Sequence, residues 1–247
     1  MTGSTACHII LILRQGITSM ALSKTKCDKE LGKRVHKYLV EKGVETPMVP
    51  NNLTEQEKRD IIESRFADIM VALGLDLTDD SLEETPKRVA KMYVDEIMCG
   101  LNYDYFPKIT AVENKAGYND LLVEKVTSVS LCEHHFVYLG TAHNPDKLGC
   151  WVAYIPGKKV LGLSKINRLV EFFSRRPQIQ ERLVEQIAEA MKFICETDDV
   201  AVVMRGQHFC VLTRGVEDAD SYTITSSLSG RFMEPSLRSE LMTIVNR

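Results

Sequence analysis

The 247-residue sequence has little net charge, no long hydrophobic run and no regular cysteine spacing. Lys and Arg number 31 against 34 Asp and Glu, so the formal charge is only −3. The protein as a whole therefore has no strong positive electrostatic field that would attract nucleic acid or an anionic membrane. The apolar run at 9–13 is far shorter than the ~20 residues of a membrane span. Any anion site is therefore expected to be a local cluster, with neither membrane nor nucleic acid as a partner.

The cysteines do not form a paired framework. There are seven, an odd number, at positions 7, 27, 99, 132, 150, 195 and 210. A secreted disulfide scaffold is typically shorter and evenly paired. The cysteines therefore indicate a reducing, cytoplasmic setting with one or two functional thiols. Residues 1–22 carry no cleavage pattern after their apolar run and are predicted to be a disordered N-terminal extension.

Residues 23–110 form a predicted N-terminal helical region. Apolar residues recur at helical spacing from residue 23 to Gly43, and Thr54 opens a second helix with the form of a capping box. Thr85 is the predicted N-cap of a third helix, which Gly100 is expected to close. With 44% hydrophobic and 26% charged residues overall, the chain can bury a sizeable core.

From residue 111 the hydrophobic pattern changes to that of strands. Runs rich in β-branched and aromatic residues predict strands at 122–131, 151–155, 200–206, 208–215 and 221–227. Helices are predicted at 164–174, from Pro177 to about 196, and from Glu234 onward. Strand pairs around a helical pair, without βαβ alternation, predict an α+β domain with an antiparallel sheet and packed helices over 111–247.

Cys132 and His135 are three residues apart just after a predicted strand, where a turn can aim both side chains at one point. Catalytic zinc usually has three protein ligands. Cys210 would complete a Cys₂His site if its strand lay beside Cys132, and strand alternation would place His208 on the same face as Cys210. The alternative is a hydrogen-bonded histidine corner with Cys210 as a buried thiol.

Two further clusters carry polar chemistry. Ser164, Lys165 and Arg168 open a predicted helix, where free N–H groups favour a phosphate, although plain capping with solvated charges gives the same pattern. Arg214 follows Cys210 on the predicted strand and could reach the same cleft. A third cluster, Gln180 with Glu181, lies on the first turns of the next helix, where Glu181 could bind the edge of a guanine or simply complement the helix dipole.

Eight motifs occur in order over roughly residues 25–245. They read ETPKRVAKMYVDEI (84–97), FPKIT (106–110), CEHHF (132–136), VAYIP (152–156), GLSKINR (162–168), RRPQIQERL (175–183), HFC (208–210) and RG (214–215). In sequence and order these motifs are similar to those of the GTP cyclohydrolase I family of bacterial type. One departure is the segment between CEHHF and VAYIP, about seven residues longer than this family leads us to expect. It brings His143 and Cys150 near the site in sequence, either as further metal ligands or as a solvated hairpin tip.

The resemblance implies a role for each matching residue. Zinc would be held by Cys132, His135 and Cys210, and the acid/base histidines would be His134 and His208. The resemblance assigns guanine recognition to Gln180 and Glu181, and binding of the triphosphate and ribose to Ser164, Lys165, Arg168 and Arg214. It also implies that two basic residues of the third helix reach a neighbouring subunit's site, namely Arg88 and Lys91.

The implied fold is a tunnelling fold assembled as a homodecamer with active sites between subunits. The implied reaction converts GTP to 7,8-dihydroneopterin triphosphate and formate with Zn²⁺ as cofactor, the entry step to tetrahydrofolate and other pterins or 7-deazaguanines. Two competing hypotheses are a zinc-binding protein of this fold without turnover, and another tunnelling-fold enzyme acting on a pterin or deazapurine. Retention of both histidines and of Glu181 favours the GTP hydrolase.

Overall fold

The computed structural model describes residues 25–246, so the predicted extension at 1–22 lies outside the described residues. Within 25–246 the α-helices are α1 (Lys29–Glu41), α2 (Glu55–Ala72), α3 (Thr85–Lys91), α4 (Leu163–Ser174), α5 (Gln180–Cys195), α6 (Phe209–Leu212) and α7 (Pro235–Val245). A π-helical segment, Met92–Ile97, follows α3 directly. Short 3₁₀ turns cover Cys99–Leu101, Tyr103–Tyr105 and Gly230–Met233.

The strands form two sheets, a small one and a large one. They are β1 (Ala111–Glu113), β2 (Leu122–Val126), β3 (Val129–Cys132), β4 (Tyr138–Gly140), β5 (Gly149–Tyr154), β6 (Lys159–Leu161), β7 (Pro177–Gln178), β8 (Val200–His208) and β9 (Thr223–Leu228). β1 pairs with β6, and the large sheet has the order β2-β5-β8-β4-β3-β7 with β9 also on β8. All pairs are antiparallel except β3 with β7. The predicted α+β class with antiparallel pairing is confirmed.

Helix boundaries follow local signals at some positions and tertiary packing at others. Thr54 and Glu57 form the predicted capping box before α2, and Gly43 adopts the positive φ of a residue after a helix end. The third helix differs from its prediction, because Glu84 rather than Thr85 is the N-cap and α-helical geometry ends at Lys91. Beyond the π-helical segment, the Gly100 N–H donates to Arg175 O (2.8 Å), and this docking requires the chain to turn.

Three other boundaries were predicted wrongly. The strand predicted at 122–131 is divided into β2 and β3, which pair with different partners. The helix predicted from Pro177 begins at Gln180, because Pro177 belongs to the parallel pair with β3. The strand predicted at 208–215 ends at His208, the last residue with a partner across β4. Cys210 therefore lies on α6, and the strand face that it was predicted to share with His208 does not exist.

Both faces of the large sheet are buried at its centre, so β5 and residues 200–204 of β8 are apolar on both faces. One face packs against α4 and α5, and the other packs against α7 through Trp151, Ala153, Val203 and Leu241. Burial on both faces explains why these two strands read as continuous apolar runs.

A fully buried arginine ties the N-terminal helices to this domain. Arg176 has no exposed surface and donates from Nη1 to Glu45 Oε1 (3.0 Å). Its guanidinium lies 4.9–5.2 Å from the ring centroids of Tyr103, Phe172 and Phe173. Because a buried charge requires a partner, this contact fixes the segment after α1 against the end of α4.

Candidate metal centre and active site

Cys132, His135 and Cys210 come together at one end of the large sheet. Their ligand atoms all lie within 4.8 Å of one another, and the two cysteine Sγ atoms are 3.9 Å apart. Two thiolates bound at ~2.3 Å to a tetrahedral zinc would be separated by about 3.8 Å. The donor set and its spacing therefore fit a zinc site with three protein ligands.

Strand register explains how residues so distant in sequence meet. β4 pairs on one side with β3 and on the other with the last residues of β8, so that Leu139 lies opposite His208. Cys132 ends β3, and Cys210 lies in the first turn of α6. The turn between β3 and β4 is closed by the Phe136 N–H, which donates to Cys132 O (2.8 Å), and Phe136 has a positive φ of 51°. His135 lies within this turn.

Two histidines flank the metal group in different environments. His134 is exposed, and its Nδ1 lies 3.7 Å from Cys132 Sγ. His208 is half-buried, with its Nε2 3.0 Å from the side-chain oxygen of Gln180. Burial lowers the pKa of His208, the carboxylate of Glu181 acts against this shift, and His134 adds to it. The lowered pKa favours a neutral imidazole that can accept a proton.

Gln180 and Glu181, which were grouped as guanine-binding residues, face different surroundings. The side chain of Gln180 is 1% exposed and bonds to β8 and β9. Glu181 is exposed at the start of α5. Of the two, only Glu181 presents its polar atoms to solvent.

The basic residues of the GLSKINR motif lie at the start of α4, as its sequence predicts. Ser164 is exposed, whereas Lys165 and Arg168 are half-buried. Gly162 is the N-cap and no side chain caps the helix. The Lys165 N–H already donates to Gly162 O (2.8 Å), so the N–H groups of Leu163 and Ser164 are those available to an anion.

The other basic residues divide into one at the metal group and two away from it. Arg214 Nη1 lies 2.9 Å from His135 Nε2, so the structure brings Arg214 to the cluster. Arg88 and Lys91 are exposed on α3, and within residues 25–246 no hydrogen bond or ion pair joins them to the metal group.

Comparison with known proteins identifies the family. A family model described as GTP cyclohydrolase I matches residues 62–246. The chain is 51% identical over 216 residues to a GTP cyclohydrolase 1 of Mannheimia succiniciproducens, covering 87% of this chain and 96% of that protein. It is 50% identical over 216 residues to a GTP cyclohydrolase 1 of Vibrio campbellii, covering 86% and 96%. The chain belongs to the GTP cyclohydrolase I family.

Membership in the GTP cyclohydrolase I family confirms the predicted family and enzyme class. A crystal structure of the archaeosine synthase QueF-Like in the apo form is a more distant match, with a TM-score of 0.36 and 18% identity over 44% of this chain and 93% of that one. Among the described residues, no helix has the length and apolar character needed to cross a membrane.

The long segment that departs from the family pattern does not join the metal group. Among residues 25–246 one set of side chains could hold a metal, and it contains neither His143 nor Cys150. Cys150 is fully buried in β5, and burial raises the pKa of its thiol to about 12. His143 contacts the side chain of Gln207 and packs edge-on against Phe209, with ring centroids 5.3 Å apart.

Sequence reasoning found no role for Glu133, which forms an ion pair with Arg182. Glu133 Oε2 lies 2.5 Å from Arg182 Nη1, and both side chains are more than 70% buried. The Glu133 N–H also donates to Gln178 O (3.0 Å). These contacts hold the turn that contains His135 against the first turn of α5. No spacing rule links CEHHF to RRPQIQERL, so sequence alone gave no signal for this pair.

Replacing Glu133 with glutamine is expected to lower the free energy of unfolding by about 1–3 kcal/mol, because a charge-assisted, largely buried hydrogen bond is weakened. Thermal unfolding of the zinc-loaded protein measures the effect as a fall in Tm. Glu30→Gln is the matched control, since the Glu30–Lys33 pair is 81% and 67% exposed and such pairs contribute little. An equal fall in Tm for both variants would contradict the anchoring role.

Removing zinc is expected to allow Cys132 and Cys210 to form a disulfide. Their Sγ atoms, 3.9 Å apart, need to approach to ~2.05 Å, and diamide would accept the two electrons and two protons released. Chelated protein treated with diamide should lose two titratable thiols and two hydrogens in mass, both restored by dithiothreitol. Zinc-loaded protein is the control and should keep both thiols; loss of the same pair from it would contradict protection by the metal.

Proposed function

We propose that this protein catalyses zinc-dependent conversion of GTP to 7,8-dihydroneopterin triphosphate, with release of C8 as formate. The product would enter tetrahydrofolate, other pterin or 7-deazaguanine synthesis in the cytoplasm. The observation that supports the proposal most directly is the grouping of Cys132, His135 and Cys210 beside two histidines in a chain of the GTP cyclohydrolase I family.

Cys132, His135 and Cys210 would hold the zinc. When bound, zinc supplies the Lewis acidity that activates water for attack on a weak electrophile such as C8 of guanine. Ring opening also needs a proton delivered to the imidazole nitrogen N7. His208, whose pKa is lowered by burial so that the neutral ring is favoured, is assigned this transfer: it takes up the proton released by the attacking water and passes it to N7. His134 assists ring opening or the later sugar rearrangement.

Substrate orientation would come from groups around the metal. The exposed carboxylate of Glu181 can accept N–H donors from the guanine edge. The open N-terminus of α4, with Ser164, Lys165 and Arg168, would hold phosphate oxygens. Arg214, already beside His135, would contribute charge near the ribose or triphosphate.

The assembly proposed for the active site is a homodecamer of tunnelling-fold units with sites between subunits. Residues 111–247 would be the catalytic domain and 23–110 the N-terminal helical region. Support comes from Arg88 and Lys91, which are exposed on α3 and therefore available to a neighbouring subunit. Light scattering should give ten times the chain mass, and a monomeric active species would contradict the proposal.

Incubation of the purified protein with GTP and zinc tests the reaction. Formate release and a fluorescent neopterin after oxidation are the expected results. Zinc binding without either product would indicate a zinc protein of this fold that lacks turnover. Turnover of a pterin or deazapurine without turnover of GTP would indicate a different tunnelling-fold activity.

A further inference from the structure

Gln180 uses every polar atom of its side chain inside the protein. It is the first residue of α5 and is 1% exposed. Its Nε2 shares its two hydrogens among three acceptors within hydrogen-bonding distance, Met204 O (3.1 Å), Thr223 O (3.0 Å) and Thr225 Oγ1 (3.0 Å). Its Oε1 lies 3.0 Å from His208 Nε2. A residue so completely engaged has no donor or acceptor left for a guanine.

These partners fix which way the amide of Gln180 points. Met204 O and Thr223 O are backbone carbonyls and can only accept, so the nitrogen of the amide must face them. The oxygen of the amide therefore faces His208. Because that oxygen can only accept a hydrogen bond, Nε2 of His208 must carry the hydrogen.

The absence of a side chain at Gly206 in β8 leaves room for the contact between Gln180 and His208. A Cβ at Gly206 would lie 2.7 Å from Gln180 Oε1, closer than side-chain atoms tolerate. Glycine at 206 therefore leaves the space that the amide oxygen occupies beside His208. Within residues 25–246, Nδ1 of His208 has no hydrogen-bond partner.

We propose that Gln180 is a positioning residue that holds His208 in its Nε2–H form, so that Nδ1 is the ring nitrogen presented to substrate. The inference deepens the proposed function and rests on it for the identity of the substrate. It replaces the guanine-binding role that the family resemblance implies for Gln180 and leaves that role to Glu181. In other enzymes, loss of the group that orients a histidine changes turnover far more than binding.

The kinetic test compares Gln180→Met, which keeps the length of the side chain but removes its acceptor, with Glu181→Gln. On zinc-loaded protein we expect Gln180→Met to lower kcat by roughly 10- to 100-fold, as expected when a reacting group is misplaced, with KM and bound zinc unchanged. Glu181→Gln should mainly raise KM. A rise in KM at constant kcat for Gln180→Met would show substrate contact and overturn the proposal, as would unchanged kinetics.

Two controls separate positioning from general damage. Thr225→Val removes one acceptor of the Gln180 nitrogen but leaves the oxygen in place, so kcat should change much less than in Gln180→Met. Gln186→Met removes a buried amide elsewhere on α5, one that bonds to Val44 O rather than to His208, so it should leave kcat near the wild-type value. If circular dichroism shows that Gln180→Met has lost its fold, its low turnover does not test the proposal. The spectroscopic measurement on wild-type protein, described next, then decides whether the proposal holds.

The spectroscopic test uses wild-type protein and does not depend on turnover. Histidine labelled with ¹⁵N in the ring, with the His208 signal assigned by its loss in His208→Gln, reports which nitrogen carries hydrogen. We expect a protonated, pyrrole-type Nε2 and a pyridine-type Nδ1. The opposite pattern would overturn the inference even in an active enzyme. Absence of GTP turnover with the expected pattern would instead contradict the proposed function and leave the Gln180–His208 bond established.

Discussion

Replacing His208 with alanine is expected to lower kcat by about 10²- to 10⁴-fold, the usual contribution of a positioned acid or base, while zinc remains bound. The expectation follows from the position of His208, which lies beside the metal group yet contributes none of its three ligand atoms. Burial lowers the pKa of its half-buried ring, which favours the neutral form that can take up a proton. Formate release and zinc content, measured on the same preparation, check both parts of the prediction.

The control for the loss of a histidine side chain is His36→Ala. His36 lies on α1 and packs on Tyr103, with ring centroids 4.6 Å apart, so its loss should leave kcat near the wild-type value. If His208→Ala lost zinc together with turnover, His208 would be a ligand or a support for one, and its assignment to proton transfer would be wrong.

Replacing Cys210 with alanine is expected to abolish both zinc binding and GTP turnover. Only two protein ligands would remain, and catalytic zinc sites usually have three. The loss of activity should exceed the roughly 10- to 100-fold that removal of a supporting outer-shell group causes. Zinc analysis after gel filtration, together with the neopterin assay, measures the two effects.

Cys27→Ser is the matched control, because Cys27 is half-buried and lies at an isolated bridge to Pro107, outside the metal group. It should retain both zinc and turnover. A Cys210→Ala protein that still bound one zinc per chain with wild-type turnover would show that the ligand set is different.

Local signals predicted the parts of the fold that depend on local interactions. The capping box at Thr54 and the positive φ at Gly43 formed as expected, because both involve groups a few residues apart. The end of the third helix did not, because the docking of Gly100 against α4 involves residues far along the chain. The extent of a strand likewise depends on its partner, and the partner of β8 ends opposite His208.

In the candidate site, too, some features could be predicted from local sequence, and others depend on contacts between distant segments. Sequence spacing indicated Cys132 and His135, and the need for a third ligand indicated Cys210, although the reason given for its position, strand alternation, was wrong. The engagement of Gln180 and the ion pair of Glu133 with Arg182 depend on how α5 packs against β8 and the turn after β3. Such contacts between separate motifs have no signature in a single sequence.

The distance along the chain between the two cysteines of the metal group has a consequence for biogenesis. They are separated by 78 positions, and closing a loop of that length costs about 4 kcal/mol of chain entropy or more. A zinc finger, by contrast, folds because it binds its metal. Here the three ligands meet only when β3, β4 and β8 are paired, so we expect complete metal uptake to follow folding. A chain still on the ribosome without residue 210 cannot assemble the full ligand set.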